Sequence, residues 1–163
     1  MTPRRSRGPD EVDVLLVCSA GGHLLQLYLL RDAWKGRSCA WVTHARDDAR
    51  SLLSESRVYY AYAPTTRNVK NLVRNVFLAW RLLGTLRPEV IVTTGAAIAV
   101  PFAWVGRLFG CRVVYIESLT RIERPSLSGR LVKPATSRYF VQWPELAERV
   151  RGSRYVGSVV GHL

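Results

Sequence analysis

The stretch Val12-Asp13-Val14-Leu15-Leu16-Val17-Cys18 runs directly into Ser19-Ala20-Gly21-Gly22-His23-Leu24, and this junction decides the fold. A short apolar run that stops at small residues and continues into leucines at helical spacing indicates a strand, a glycine turn and a helix. Glycines let a ligand approach the backbone, and a helix N-terminus directs free N–H groups at it. Because His23 adds a titratable group there, the pattern predicts either a binding loop or a tight turn with a solvated histidine.

The same alternation of strand and helix patterns continues along the chain. Strands are predicted over residues 12–18, 39–43, 58–62, 89–93, 112–116 and 138–141, and helices over residues 24–34, 47–54, 68–86, 95–109, 126–133 and 144–150. Apolar strands that alternate with helices predict an α/β fold with a doubly wound, Rossmann-like parallel sheet. Residues 12–163 are expected to form one domain, and residues 1–11 a disordered basic tail that lacks the apolar segment of a signal peptide.

Charge and cysteine usage narrow the classes of function. Lysine and arginine number 24 against 12 aspartate and glutamate residues, which gives a net charge of +12. Such an excess favours an anionic partner: a nucleic acid, an acidic lipid surface or a phosphorylated substrate. Cys18, Cys39 and Cys111 lie in apolar strand patterns without the spacing of metal ligands. We therefore expect reduced thiols and no metal site. We expect no cofactor either.

In a doubly wound sheet the ligand lies beyond the carboxyl ends of the strands. The loops expected at this edge carry His23, His44, Glu117, Arg46, Arg67, Arg121 and Arg124. An edge with several arginines suits a phosphorylated substrate. In a chain this basic, however, the same arginines are also compatible with an ordinary solvated surface.

Two helical patterns suggest contact with a membrane surface. Residues 68–87 interleave basic residues with aliphatic and aromatic ones, a pattern that fits an interfacial helix or, more commonly, core packing. Residues 95–110 are apolar nearly all round but shorter than the ~20 residues that a bilayer span requires. This second segment is predicted to be a buried helix, or one whose outer face, with Phe102, Trp104 and Phe109, inserts shallowly into lipid.

Five motifs in a fixed order resemble a known glycosyltransferase family. They are S-A-G-G-H-L at residues 19–24, T-T-G-A-A-I-A-V-P-F at 93–102, Y-I-E-S at 115–118, R-P-S-L-S-G-R-L at 124–131 and F-V-Q-W-P-E-L at 140–146. Together they resemble the membrane-associated subunit of the two-part UDP-GlcNAc transferase of dolichol-linked oligosaccharide synthesis. They are similar also to its bacterial counterparts in exopolysaccharide and capsule synthesis.

The resemblance implies a GT-B glycosyltransferase that is divided between two polypeptides. This chain would form the acceptor-side, N-terminal-type lobe, and a small separate subunit would bind most of the UDP-sugar. The implied reaction transfers GlcNAc or another hexose to a polyprenyl- or dolichyl-diphosphate-linked acceptor. Because residues 1–11 do not look like a membrane helix, we expect peripheral attachment to an anionic membrane on its cytoplasmic face.

The resemblance also suggests roles for individual residues. Those expected to bind the acceptor or its phosphates are Gly21, Gly22, Arg67, Asn68, Gly95, Arg121 and Arg124. An inverting transfer needs a base, for which His23 and Glu117 are equal candidates. Glu117 has a structural alternative, in which it pairs with Arg121 or caps the next turn. Gln142, Trp143 and Glu145 are expected to line the cleft or the partner interface, or else to pack and begin the last helix.

Two other classes of function remain open. The chain is compatible with a non-catalytic scaffold that brings its partner to the membrane. A nucleic-acid-binding domain would also account for the positive charge, but no DNA- or RNA-reading motif is present, so we expect no nucleic-acid partner.

Overall fold

The computed structural model describes residues 8–65 and 67–161. Its strands are β1 (Val14–Val17), β2 (Cys39–His44), β3 (Val58–Ala61), β4 (Val90–Thr93), β5 (Arg112–Ile116), β6 (Arg138–Val141) and β7 (Arg154–Tyr155). Its α-helices are α1 (Gly22–Leu29), α2 (Asp47–Leu52), α3 (Val69–Leu86), α4 (Ala99–Leu108), α5 (Leu127–Val132) and α6 (Pro144–Arg149). Short 3-10 turns occupy Arg31–Trp34 and Lys133–Ala135.

The strands form one parallel sheet in the order β3-β2-β1-β4-β5-β6-β7. The order reverses between β1 and β4, where Val17 lies in register with Thr93. Leu15 and Leu16 of β1 are both fully buried although they point to opposite faces, since helices cover this central strand on both sides. The predicted doubly wound sheet is confirmed, and its strand order places the ligand edge beside β1 and β4.

The two helical layers cover the sheet unequally. On one face α3 and α4 pack together over β1, β2 and β4, where Leu83, Leu86 and Phe102 are buried. On the other face α1 and α2 cover mainly β1 and β2, with Leu24 and Trp41 in that smaller core. Part of β4, β5 and β6 on this second face therefore faces an open groove instead of a helix.

Most predicted element boundaries agree with the structure, and the differences have local causes. The helix predicted from residue 95 begins only at Ala99, because Gly95 and Ala96 have positive φ angles of 103° and 68°. The helix predicted over 24–34 begins at Gly22, ends at Leu29 and is followed by the 3-10 turn Arg31–Trp34. The short strand β7 was not predicted, since its exposed residues carry no apolar signal.

The end of the predicted tail is in contact with the domain. Residues 8–11 form a turn in which the Glu11 N–H donates to the Gly8 carbonyl, and Asp10 pairs with Arg57 at 3.2 Å. The part of the predicted tail over residues 1–7 lies outside the described residues. No helix in the described ranges is both long and apolar enough to cross a membrane.

Candidate functional site

The glycine loop lies at the carboxyl end of β1, beside the reversal in strand order. Gly21 has φ 84° and ψ −140°, a conformation that only glycine adopts readily, and its N–H donates to Asp48 Oδ2 at 2.6 Å. An added Cβ at Gly22 would meet only open space. Within the described residues the N–H groups of Gly22 and His23 have no hydrogen-bond acceptor, so the first turn of α1 presents free donors to solvent.

His23 is joined to Thr94 across the reversal in strand order. Its Nδ1 lies 2.8 Å from the Thr94 carbonyl oxygen, and the Thr94 hydroxyl donates to the His23 carbonyl at 2.8 Å. A carbonyl oxygen only accepts hydrogen bonds, so Nδ1 of the neutral ring carries the proton and Nε2 keeps its lone pair. No hydrogen bond to Nε2 is made by the part of the chain that the structure describes.

Burial lowers the pKa of His23 below its ordinary value. The Thr94 carbonyl and the Glu117 carboxylate act in the opposite direction, and Arg121 lowers the pKa further. The net effect keeps the imidazole neutral at pH 7. A neutral ring with a free Nε2 is the form that a general base requires.

Glu117, the other candidate base, is fully enclosed. Its Oε1 accepts from the Ser118 N–H at 2.9 Å, and its Oε2 accepts from the Tyr139 hydroxyl at 2.7 Å and the Ser126 N–H at 3.0 Å. Burial, together with this carboxylate, raises the pKa of Tyr139. The geometry favours the structural alternative for Glu117, in which it caps the following turn.

Two buried glutamines bind the backbone at the same position. Gln26 on α1 and Gln142 after β6 donate to the Glu117 carbonyl at 3.0 and 2.9 Å. Gln26 also accepts from the Leu119 N–H at 3.2 Å, and the Trp143 indole donates to the Leu119 carbonyl at 2.6 Å. These contacts hold the loop after β5 against α1 and β6. The sequence analysis did not identify Gln26 as a residue of the site. A polar residue among the apolar positions of a helix, as here, is the pattern that could have indicated it.

Gly95 is needed for close packing. A Cβ at this position would lie 2.6 Å from the Tyr115 hydroxyl, and the Gly95 N–H donates to Thr93 Oγ1 at 3.1 Å. The next residue, Ala96, also has a positive φ, which is costly for a residue with a side chain. The loop that supplies the Thr94 carbonyl to His23 is thus held in an unusual backbone conformation.

The predicted phosphate-binding residues do not all converge. Asn68 caps α3 by accepting from the Asn71 N–H at 2.9 Å, and exposed Arg67 lies beside it. Both follow β3, two strands away from β1, so they lie roughly 10 Å or more along the sheet from the glycine loop. Arg121 lowers the pKa of His23. Both Arg121 and Arg124 are exposed, and neither forms an ion pair with a carboxylate among the described residues.

The residues predicted for the cleft or partner interface have different environments. Gln142 is buried, and its Oε1 accepts from the Val159 N–H at 2.9 Å. Trp143 is half-buried against the loop after β5, whereas Glu145 is exposed in the first turn of α6. Gln142 also lines the open groove on the sheet, which has a volume of about 810 Å³. Val92, Val114, Ile116 and Phe140 form its apolar side, and the segment at Val156 to Val159 borders it.

Helix α3 carries two apolar stripes. One stripe packs into the core through residues such as Leu78, Leu82 and Leu86. The other stripe is exposed: Val69, Leu72, Val73, Val76, Phe77 and Trp80 recur at helical spacing. Trp80 contacts Phe109 with ring centroids 5.1 Å apart, which extends this exposed stripe to the end of α4. The prediction that Phe102 lies on the outer face of α4 is wrong, because this side chain is fully buried against α3.

The cysteines have no features of a catalytic thiol. Cys18, Cys39 and Cys111 are free thiols. Burial raises the pKa of Cys18 to about 12, so that thiol stays protonated at neutral pH. Among the described residues, no group of histidine, cysteine, aspartate or glutamate side chains is arranged to hold a metal ion.

Comparison with known sequences decides the family. The profile described as "Oligosaccharide biosynthesis protein Alg14 like" matches residues 46–159. The chain belongs to the Alg14 family. Alg14 relatives named UDP-N-acetylglucosamine transferase subunit include one from Eremothecium gossypii, 42% identical over 187 residues, with 94% of this chain and 82% of the relative covered. The Rattus norvegicus protein of the same name is 26% identical over 191 residues, with 98% and 86% covered.

Solved structures place this Alg14 family member in a wider fold group. MurG of Acinetobacter baumannii matches with a TM-score of 0.72 at 16% identity, covering 90% of this chain and 45% of MurG. UDP-GlcNAc 2-epimerase of Neisseria meningitidis matches with a TM-score of 0.68 at 12% identity, covering 89% and 46%. The chain thus spans less than half of each of these proteins. Its fold is that of the N-terminal domain of GT-B glycosyltransferases such as MurG, as predicted.

Proposed function

We propose that this chain is the acceptor-side subunit of a two-component glycosyltransferase. It would transfer GlcNAc or another hexose from a UDP-sugar to a polyprenyl- or dolichyl-diphosphate-linked acceptor in polysaccharide synthesis. The observation that carries the proposal is the neutral His23 in an Alg14-family domain. Among the described residues, its Nε2 and the first N–H groups of α1 have no hydrogen-bond partner. The relatives are UDP-N-acetylglucosamine transferase subunits, which supplies the reaction class.

In the proposed reaction His23 acts as the base. Its Nε2 takes the proton from the acceptor hydroxyl as the hydroxyl oxygen attacks the anomeric carbon of the donor. The bond between that carbon and the phosphate oxygen breaks, UDP leaves with the electron pair, and the configuration at the carbon is inverted. Glu117 is then a positioning residue, since its carboxylate is occupied by backbone and tyrosine donors.

Negative charge on the acceptor requires donors and cations at the same edge. We assign the acceptor diphosphate to the N–H groups of Gly22 and His23, with Arg121 near enough to act on the pKa of His23. Arg124, exposed in the same loop after β5, is proposed to contribute a second cation. Gly21 and Gly95 serve this site by shaping its loops. Arg67 and Asn68 would contact a more distant part of the acceptor, because they lie at the β3 end of the edge.

The partner is proposed to be a small donor-binding subunit with the C-terminal half of a GT-B enzyme. The relatives are named as subunits, and the chain spans less than half of MurG. The open groove beside Gln142 is an apolar sheet face without a covering helix in the described residues, and it suits an apolar segment of that subunit. Trp143 and Glu145 follow Gln142 in the chain but do not line the groove: Trp143 packs against the core cluster that contains Leu146, and Glu145 is exposed.

Membrane attachment is proposed to be peripheral, on the cytoplasmic face. The exposed stripe of α3 includes Phe77, which is 72% exposed, and Trp80 at 55%. Lys70, Arg74 and Arg81 lie beside this stripe on the same helix. Apolar side chains flanked by cations suit the interface of an anionic bilayer.

The proposal is tested by reconstitution. The chain is purified alone and with a co-expressed donor-binding subunit, and each sample receives UDP-GlcNAc and a polyprenyl-diphosphate-linked GlcNAc acceptor. Transfer is expected only with both chains present. Turnover by the single chain would contradict the two-component proposal. Unchanged turnover of the pair after His23→Ala would leave the scaffold function in its place, and tight binding of RNA or DNA at physiological salt without vesicle binding would favour the nucleic-acid alternative.

A further inference from the structure

A second positively charged site lies at the amino ends of β6 and β7, at the edge of the sheet opposite His23. Lys133, Arg138, Arg151 and Arg154 line one cavity of about 270 Å³ together with the polar residues Thr136 and Ser137. We call these four cations and their cavity the basic pocket. We propose that the basic pocket binds a phosphate group, carried either on an anionic lipid or on a free ligand.

The cations of the basic pocket come from separate parts of the fold. Lys133 follows α5, Arg138 begins β6, and Arg151 and Arg154 flank the turn into β7. Lys133 Nζ donates to the Arg151 carbonyl at 2.6 Å, and this contact ties the end of α5 to that turn. Gly152 has φ 80°, which lets the turn reverse between the two arginines. The fold itself therefore brings the four charges together.

The charge of the basic pocket is not balanced by carboxylates in the part of the chain that the structure describes. None of its four cations forms an ion pair with a carboxylate among the described residues, whereas Arg46, Arg57, Arg87 and Arg149 all do. Like charges within a Debye length, about 8 Å at physiological salt, repel one another. A bound anion would relieve this repulsion, and guanidinium and ammonium groups are the donors that phosphate oxygens prefer.

The size of the basic pocket limits the class of ligand that it can hold. Its volume of about 270 Å³ is below the roughly 300–1,000 Å³ of sites for drug-sized molecules. It suits a single phosphate group whose substituent projects outwards. Exposed Leu131 lies two residues before Lys133, and Trp104 donates its indole N–H to the Leu131 carbonyl. An exposed apolar side chain thus lies in the last turn of α5, the helix that leads into Lys133 of the pocket. Apolar side chains near cations favour a phospholipid as the carrier of the phosphate.

This inference does not rest on the proposed transferase activity, and binding measurements test it alone. The double variant Arg138→Gln/Arg154→Gln removes two pocket charges. The matched control, Lys35→Gln/Arg50→Gln, removes two exposed charges without a carboxylate partner among the described residues. Two probes are used: inorganic phosphate followed by amide NMR shifts, and vesicles of phosphatidylglycerol in phosphatidylcholine followed by sedimentation.

The pocket variant is expected to weaken binding of at least one probe by about tenfold or more, and the control by less than about threefold. Saturable phosphate binding lost in the variant supports a free phosphate ligand. Loss confined to the vesicles supports a lipid headgroup. Equal weakening by the pocket and control variants, or no effect on either probe, overturns the proposal. If the double variant proves less stable, the single variant Arg151→Gln, which removes one exposed guanidinium, is compared with Arg50→Gln.

Discussion

His23 and Thr94 are joined by two hydrogen bonds across the point where the strand order reverses. The imidazole Nδ1 lies 2.8 Å from the Thr94 carbonyl, and the Thr94 hydroxyl lies 2.8 Å from the His23 carbonyl. The first contact selects the tautomer of the ring, and the second holds the two loops at a constant separation. Together they hold the ring at the carboxyl end of the sheet, with Nε2 accepting no hydrogen bond from the described residues.

Thr94→Val tests this relationship without changing the shape of the side chain. The variant loses the hydroxyl donor to the His23 carbonyl, which we expect to cost about 1 kcal/mol in the free energy of unfolding. Transferase activity of the reconstituted pair should fall severalfold because the ring loses its fixed orientation. Because the variant keeps the backbone carbonyl of residue 94, its tautomer can change only through separation of the two loops. Imidazole ¹⁵N NMR should show the Nδ1–H form in the wild type and a partial loss of that form in the variant. A wild-type spectrum in Thr94→Val would show that the hydroxyl has no positioning role.

The pH dependence follows from the lowered pKa of His23. Because the folded state disfavours the charged ring, kcat/KM should stay constant down to about pH 6.5 and fall only below it. The free energy of unfolding should also decrease at low pH. His23 has its ordinary pKa of about 6.5 in the unfolded chain and a lower pKa in the folded one, so the unfolded chain binds more protons as the pH falls through about 6.5. Burial also lowers the pKa of His44, which gives stability a second pH dependence of the same direction. Stability is therefore measured in a protein that also carries His44→Gln. A titration of His23 above pH 6.5 would contradict the sign.

Glu117→Gln separates a positioning role from a catalytic one. The amide keeps one accepting oxygen and replaces the other with an NH2 group, so its N–H donors oppose either the Ser118 N–H or the Ser126 N–H, which now donate to separate carboxylate oxygens. Such a buried mismatch should cost about 1–3 kcal/mol in the free energy of unfolding. Circular dichroism should record the lower melting temperature, whereas kcat per folded complex should fall less than about tenfold. An unchanged melting temperature with a loss of about 10² or more in kcat would instead make Glu117 the base.

Phe77→Ser tests the membrane surface. The side chain is 72% exposed, so its removal should leave the free energy of unfolding nearly unchanged. Sedimentation with phosphatidylglycerol vesicles should weaken by about fivefold or more, because an aromatic ring no longer enters the interface. Leu25→Ser on α1 is the matched control, with 53% exposure in the other helical layer, and should bind as the wild type does. If Phe77→Ser and Leu25→Ser both bind vesicles as the wild type does, the exposed stripe of α3 does not contact the membrane.

The fold was predictable from the sequence because its signals are local. Apolar strands ended by small residues, as at Ser19, and helices ended by Pro88 or Gly110 specify each element without reference to the others. Strand β7 escaped prediction because its residues are exposed and gain their structure only by pairing with β6.

The site was only partly predictable, because its geometry depends on contacts between distant residues. His23 is hydrogen-bonded to Thr94, which lies 71 residues away in the sequence, and Gln26 to Glu117, which lies 91 residues away. No sequence spacing reports whether a carboxylate such as Glu117 is enclosed or open, so His23 and Glu117 were equal candidates until their burial was known. Likewise, α3 carries both of the apolar faces that its sequence left as alternatives.

His23 is proposed as the base of an acceptor-side half-enzyme. The most direct measurement is kcat of the reconstituted pair with UDP-GlcNAc and a polyprenyl-diphosphate-linked GlcNAc acceptor, for His23→Ala beside the control His44→Ala. We expect His23→Ala to lower kcat by at least about tenfold, since loss of a general base typically costs about 10²–10⁴. His44→Ala should retain wild-type turnover, and both variants should still bind the partner. Near wild-type turnover of His23→Ala in an intact complex would contradict the claim.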